Sequence, residues 1–161
     1  MRTSDAQDMY KALKQPKVGL YLADWYPQDG YTLEMAKEWV NGGADAFGGV
    51  VWAIAFNDVV VGSAGIHPQH GFARCNAEIG YWLTESHWGK GVGTAVVGVL
   101  VAKAFEMPEI TRVFAPIHAA NLASQRICEK NGFVREGLLR QSAIKWGKAI
   151  DVVMWARYRN H

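Results

Sequence analysis

The sequence predicts an α+β fold, in which two helices lead into an antiparallel meander of three strands. Three observations carry this. Two short helical stretches precede three consecutive strand-like runs, the remainder alternates helix and strand before ending on two strands, and a glycine-dense turn separates a strand from a long apolar helix.

Taken in order, Ser4-Asp5-Ala6-Gln7 reads as a capping box, with Ser4 as N-cap and Gln7 reaching back. The helix it opens covers residues 5–14 and closes before Gln15-Pro16, because a residue preceding proline resists helical geometry. Thr32 caps a second helix over 33–40, with Leu33, Ala36 and Val40 on one face and Asn41-Gly42-Gly43 as its stop. The period then changes. Residues 50–56 are apolar, Asn57-Asp58 suits a two-residue hairpin turn, and 59–66 and 77–83 continue as strands around a loop holding Pro68 and Gly71. Residues 91–105 return to a helical pattern that stops at Met107-Pro108. A strand over 112–117 and a helix over 121–130, closed by Asn131-Gly132, follow. Strands over 133–141 and 149–158, joined at Trp146-Gly147-Lys148, end the chain. The order is ααβββαβαββ without linker or repeat, so residues 1–161 are expected to form a single domain.

Composition narrows the function classes. Half the residues are apolar, and 17 basic against 15 acidic residues leave a net charge of +2, which offers no footprint for nucleic acid or an anionic membrane. Cys75 and Cys128 make no disulfide framework, and no Cys or His spacing suggests a metal site. Residues 1–7 carry no secretory pattern. The longest near-apolar stretch, 92–105, is interrupted by Thr94, Gly98 and Lys103 and falls short of a membrane span. A cytoplasmic setting is the expectation. The apolar surface of a short sheet and seven tryptophans are compatible with a homodimer.

The segment Trp88-Gly89-Lys90-Gly91-Val92-Gly93-Thr94 lies between the strand ending at Leu83 and the helix from 91. A helix N-terminus has unpaired backbone N–H groups and a partial positive charge, and glycines let an anion come close. The spacing matches neither the Walker pattern nor the dinucleotide fingerprint. On these residues alone, a tight turn into a helix and an anion cradle both remain open.

This loop resembles the acetyl-CoA loop, Arg/Gln-x-x-Gly-x-Gly/Ala, of the GNAT N-acetyltransferase superfamily. Asn121-x-x-Ser124-x-Arg126-x-x-Glu129-Lys130-Asn131-Gly132-Phe133-x-x-Glu136-Gly137 resembles a second signature, that of the RimJ/RimL-type ribosomal-protein N-terminal acetyltransferases. Ala77-Glu78-Ile79-Gly80-Tyr81-Trp82-Leu83 and Asp151-Val152-Val153-Met154-Trp155-Ala156-Arg157 fit the same branch. Members of the branch begin with a full strand before the first helix. Met1-Arg2-Thr3 match only its last residues, so either the chain is truncated, or its start is misassigned, or the sheet loses most of one edge. The resemblance otherwise implies a mixed, mostly antiparallel central sheet flanked by helices.

The resemblance implies acetyl-CoA as cofactor. Its pantetheine would lie in a splayed gap between the strand at 78–83 and the strand at 112–117, against the free backbone edge of Tyr81, Trp82 and Leu83. Its pyrophosphate would sit on Trp88, Gly89, Lys90, Gly91, Val92, Gly93 and Thr94. Trp88 stands where many relatives have Arg or Gln and reads as a packing aromatic. Lys90 either neutralises phosphate or faces solvent. Asn121 and Ser124 would orient pantetheine and sulfur, Asn121 being also a favoured N-cap. Glu78 is the candidate general base for an amine that arrives protonated. Ala143 stands where some relatives carry an acid, which leaves Asp151 as a second candidate. Ser124 is the candidate proton donor to the leaving thiolate, because Cys128 occupies the place where many relatives have tyrosine and is expected to be buried and inert.

The acceptor is expected to be a primary amine, such as a protein N-terminus. The rivals are a small amine (polyamine, aminoglycoside or amino acid) and a non-catalytic acyl-CoA-binding domain. Asp24, Asp29 and Glu34 read as a solvated acidic loop, with Trp25 and Tyr26 lining an apolar part of the acceptor pocket. His67, His70 and His118 read as ordinary surface histidines.

Overall fold

The computed structural model describes residues 2–23, 25–42 and 48–159. Helices α1 (Ala6–Leu13), α2 (Pro16–Gly19) and α3 (Leu33–Val40) precede strands β1 (Val50–Phe56), β2 (Val59–Pro68) and β3 (Asn76–Leu83). Then come α4 (Val92–Glu106), β4 (Arg112–His118), α5 (Leu122–Lys130), β5 (Val134–Lys145) and β6 (Lys148–Tyr158). Six strands form one sheet in the order β1-β2-β3-β4-β6-β5. Only β3 and β4 run parallel; every other neighbouring pair is antiparallel. Among the described residues no strand precedes α1, and β1 is an edge strand.

Alternating residues of the strands divide the apolar core into two layers. Ile66, Ile79, Val113 and Trp155 pack with Val97, Leu100 and Val101 of α4 and Cys128 of α5. On the other face Val60 and Trp82 pack with Met9 and Leu13 of α1 and Ala36 of α3. Met9 and Leu13 stand one helical turn apart and are fully buried. Truncating either to alanine would cost about 2–5 kcal/mol. Among the described residues no helix is long and apolar enough to cross a membrane.

Both hairpin turns form as expected. Asn57 and Asp58 have φ of 49° and 61°, and Trp146 and Gly147 have φ of 50° and 73°. Two successive left-handed residues match the right-handed twist of the strands they join. Thr32 caps α3 by accepting from Met35 N–H at 3.3 Å. Of its expected stop, Gly42 adopts φ of 118°, while Gly43 lies outside the described residues.

Three local expectations are corrected. Ser4 does not cap α1. The chain enters through a 3-10 turn (Thr3–Asp5), and the Asp5 carboxylate accepts from Arg2 N–H at 2.7 Å, so the acid closes the first turn one step earlier. Pro16 does not only end α1. Gln15 is extended at ψ 116°, and proline then occupies the first helical position of α2, where its missing N–H costs nothing. The strand expected to end at Gln141 runs on to Lys145 through an irregularity. Gln141 takes φ of 50°, and its N–H donates to Asp151 Oδ1 at 2.8 Å instead of to the ladder.

Candidate active site

The parallel ladder between β3 and β4 is short. Asn76, Ala77 and Glu78 pair with Arg112, Val113 and Phe114, and pairing then stops. Beyond Glu78, β3 stays on β2 up to Leu83, while β4 stays on β6 up to His118. The strands therefore part, and the edge of β3 facing β4 has no ladder beyond Glu78. An unpaired edge inside a protein is a place for a ligand that can hydrogen-bond to backbone.

A cavity of about 390 Å³ opens at this gap on the α4–α5 side. Trp88, Gly89, Gly91, Gly93 and Thr94 line it, together with Arg126 and Lys130 of α5 and Lys17 of α2. Gly89 and Gly91 have φ of 69° and 82°, which bend the chain sharply into the start of α4. A Cβ on Gly93 would come within 2.8 Å of Ile127 Cδ1, so glycine there allows α4 to sit close to α5. Trp88 turns its indole back, donating to Leu83 O at 2.8 Å, while much of its ring stays exposed. Lys90 is exposed, and neither it nor Val92 lines this cavity. Lys17, which no motif in the sequence marks, reaches the rim and pairs with Glu85 at 3.1 Å.

A second cavity, of about 430 Å³, adjoins the first on the α1–α3 side of the sheet. Glu78 lines it, opposite His67 on β2. Burial pushes the Glu78 carboxyl above its ordinary range, and the nearby His67 offsets part of that rise. His118, at the end of β4, also lines this cavity. Its Nδ1 accepts from Ala120 N–H at 3.1 Å, which places the proton of the neutral ring on Nε2. Burial, and then the charge of Lys145, hold this imidazole below its usual range. At neutral pH it offers a donor, not a base. Trp25 and Trp39 stack at 4.9 Å along one wall.

Six residues line both cavities: Tyr21, Leu22, Tyr81, Trp82, Asn121 and Ser124. Asn121 caps α5 by accepting from Ser124 N–H at 3.1 Å, and Ser124 Oγ lies 3.1 Å from Tyr81 Oη. Trp82 Nε1 is buried without a hydrogen-bond partner at this junction. Tyr21 reaches across the gap from the loop after α2 and meets His118 edge-on at 5.4 Å.

Several expectations about this region change. His67 and His118 are not ordinary surface histidines; register and strand length bring them to one cavity. Tyr26 does not line the acceptor side, because it is buried and donates to Leu13 O at 2.7 Å. Trp25 does line it. Asp29 is exposed, Glu34 pairs with Lys37 at 2.8 Å, and neither reaches the cavity; Asp24 lies outside the described residues. Asp151 is occupied by the irregularity at Gln141 and does not line the cavity either. Cys128 is buried in the α4–α5 layer, and burial raises its thiol to about 12, so it is inert as expected. Among the described residues no cluster of potential metal ligands forms.

The open seam, with a glycine-built helix entrance at one end and a half-buried carboxylate at the other, has the form of a site for an extended ligand that hydrogen-bonds to backbone. The chain belongs to the GNAT acetyltransferase family: residues 1–134 match the acetyltransferase (GNAT) domain. A putative ribosomal N-acetyltransferase, YdaF, of Bacillus subtilis is 30% identical over 128 residues, 80% of this chain and 69% of that protein. A ribosomal L7/L12 α-N-protein acetyltransferase, RimL, solved in complex with coenzyme A, superposes with a TM-score of 0.83 at 24% identity, covering 98% of this chain and 90% of that one. The microcin C7 self-immunity acetyltransferase MccE, solved with acetyl-CoA and AMP, gives 0.84 at 21% identity, over 98% and 88%. The chain spans 62%, 55% and 49% of the length of three further curated relatives from Bacillus.

Proposed function

We propose that the protein transfers the acetyl group of acetyl-CoA to a primary amine by direct attack in a ternary complex. One observation carries this reading: two cavities share six residues at the β3–β4 gap, while the glycine loop lines only one and Glu78 only the other. That is the layout direct transfer requires, with donor and acceptor meeting at a boundary and each held from its own side.

The residues present fit the cofactor. Gly89 and Gly91 shape a helix entrance for pyrophosphate, and the unpaired edge of β3 at Tyr81, Trp82 and Leu83 suits the amides of pantetheine. Lys17, Arg126 and Lys130 add positive charge along the same cavity. Bound there, acetyl-CoA supplies an activated acyl carbon. Glu78 accepts the proton of the incoming ammonium, directly or through water, and its raised proton affinity suits a base working near neutral pH. His118 presents its Nε2–H to the acceptor cavity. Ser124 returns a proton to the departing sulfur.

The acceptor we propose is a protein N-terminal α-amine, supported by the family resemblance to YdaF and by the shared fold of RimL. A panel of short peptides, polyamines, aminoglycosides and free amino acids, read by release of the CoA thiol, tests this. Peptides are expected to turn over fastest; preference for a small amine would overturn the acceptor, and no turnover by any would favour a binding domain. Acetyl-CoA should raise the melting temperature by mass action on the folded state. No shift at millimolar ligand would overturn the cofactor assignment.

A further inference from the structure

Between the two cavities the hydroxyls of Tyr81 and Ser124 lie 3.1 Å apart. They reach each other from different elements. Tyr81 projects from β3 onto the α4–α5 layer, where its ring sits 3.5 Å from the place a Cβ on Gly93 would occupy. Ser124 stands in the first turn of α5, its backbone fixed by the Asn121 cap. The serine is thus held twice, through its N–H and through its Oγ.

A hydroxyl pair has two arrangements, and the chemistry favours one. A phenol is a far stronger acid than an aliphatic alcohol, and its oxygen is the poorer acceptor because its lone pair is shared with the ring. Tyr81 O–H therefore donates, and Ser124 Oγ accepts. The consequence is directional: with one lone pair engaged, the serine keeps its own hydrogen free to point into the cofactor cavity.

We infer that Tyr81 is a positioning residue that acts through Ser124, donating to its Oγ so that the serine O–H is aimed at the departing sulfur. This rests on the reading of Ser124 as the proton donor. As the N–C bond forms and the C–S bond breaks, the C–S electron pair goes to sulfur. Ser124 gives sulfur a proton and recovers one from Tyr81, which recovers its own from water. The proton that Glu78 removes from the amine leaves to solvent, so the count balances. Burial raises the Tyr81 phenol to about 12, which keeps it protonated as a donor through the working range.

The test uses the full chain bound to CoA, titrating the bound thiol by its thiolate absorbance. A hydroxyl aimed at sulfur stabilises the thiolate, so the thiol should titrate about one unit lower in the wild type than in Tyr81→Phe. Ser124→Ala should show at least that rise, and the double variant no more than Ser124→Ala alone. Turnover should follow, with Tyr81→Phe about tenfold slower, CoA affinity unchanged, and no added loss in the Ser124→Ala background. A bound thiol unmoved by Tyr81→Phe but raised by Ser124→Ala overturns the Tyr81 role and leaves Ser124 standing. A thiol and a turnover unmoved by Ser124→Ala overturn the donor reading and the inference with it. Should Tyr81→Phe lower CoA affinity, 3-fluorotyrosine at position 81 keeps the ring and sharpens the acid; it should lower the bound thiol further, and no change would overturn the proposal.

Discussion

The two cavities are built on opposite principles. The one on the α4–α5 side takes about half its lining from one stretch of chain, β3 through the glycine loop into α4, and is closed by α5 from Asn121 to Lys130 and by the segment from Lys17 to Leu22. Its essential groups are backbone: a free strand edge and N–H groups at a helix entrance. The other draws single side chains from distant places, with Tyr21, Trp39, His67, Glu78 and His118 arriving from separate elements. A backbone site tolerates side-chain change as long as the bends survive. A site of converging side chains can be altered one residue at a time. The contrast accounts for a family in which cofactor binding is shared and the acceptor is not.

If the division holds, Glu78→Gln should give the largest effect, about a 10²–10⁴-fold loss of turnover, the range expected for a general base, with little change in acetyl-CoA affinity. Unchanged turnover would remove Glu78 as the base. The sign of linkage favours the stability of the variant. The Glu78 pKa is raised in the folded protein, so the ionised side chain weakens stability as pH rises through the folded value, and a neutral glutamine carries no such penalty. The wild-type rate should fall as acid protonates Glu78, on a limb above the ordinary carboxylate range. Glu78→Gln should lose that limb; if the limb persists, another group sets it.

A smaller effect should mark the other cavity. Gly91 has φ of 82° with nothing near its Cβ position, so Gly91→Val meets no protein atom but must hold a left-handed backbone. Such strain costs of order 1–3 kcal/mol. Acetyl-CoA affinity should drop about tenfold as the loop relaxes, leaving the KM for the amine nearly unchanged. Calorimetry gives the first and steady-state kinetics the second. An equal loss in both would mean the two cavities are one mechanical unit.

The same contrast explains what could be read in advance. Glycines and turn pairs are local signals, so the glycine bends and the Asn57-Asp58 and Trp146-Gly147 turns were legible in the residues, and the parting of β3 from β4 was implied by the family resemblance. The histidines were not. His67 meets Glu78 only through the β2–β3 register, and His118 enters the cavity only because β4 continues along β6 after leaving β3. No spacing along the chain encodes either fact. Tyr26 shows the converse: a tyrosine in a loop looks available until its hydroxyl is found on Leu13 O inside the core.

The loop that buries Tyr26 carries the smallest expected effect. The tip of the β5–β6 hairpin pins the segment after α2 from far away in sequence. Lys145 donates to Ala23 O at 3.2 Å, and Trp146 donates through Nε1 to Tyr26 O at 2.9 Å. Both carbonyls belong to the stretch that carries Tyr21, Leu22 and Trp25 into the acceptor cavity. Trp146→Phe keeps an aromatic ring at the turn and removes the Nε1–H donor, at a net cost of about 1 kcal/mol. Because the loosened segment holds acceptor-lining residues, the loss should appear as a few-fold higher KM for the amine. The glycine loop lies on the far side of the junction, so acetyl-CoA affinity should stay level. Tyr21 and Leu22 also line the cofactor cavity, which makes this the sharpest test of the division. A parallel fall in acetyl-CoA affinity would show that the hairpin tip governs the shared boundary itself, and that the two cavities are not independently adjustable.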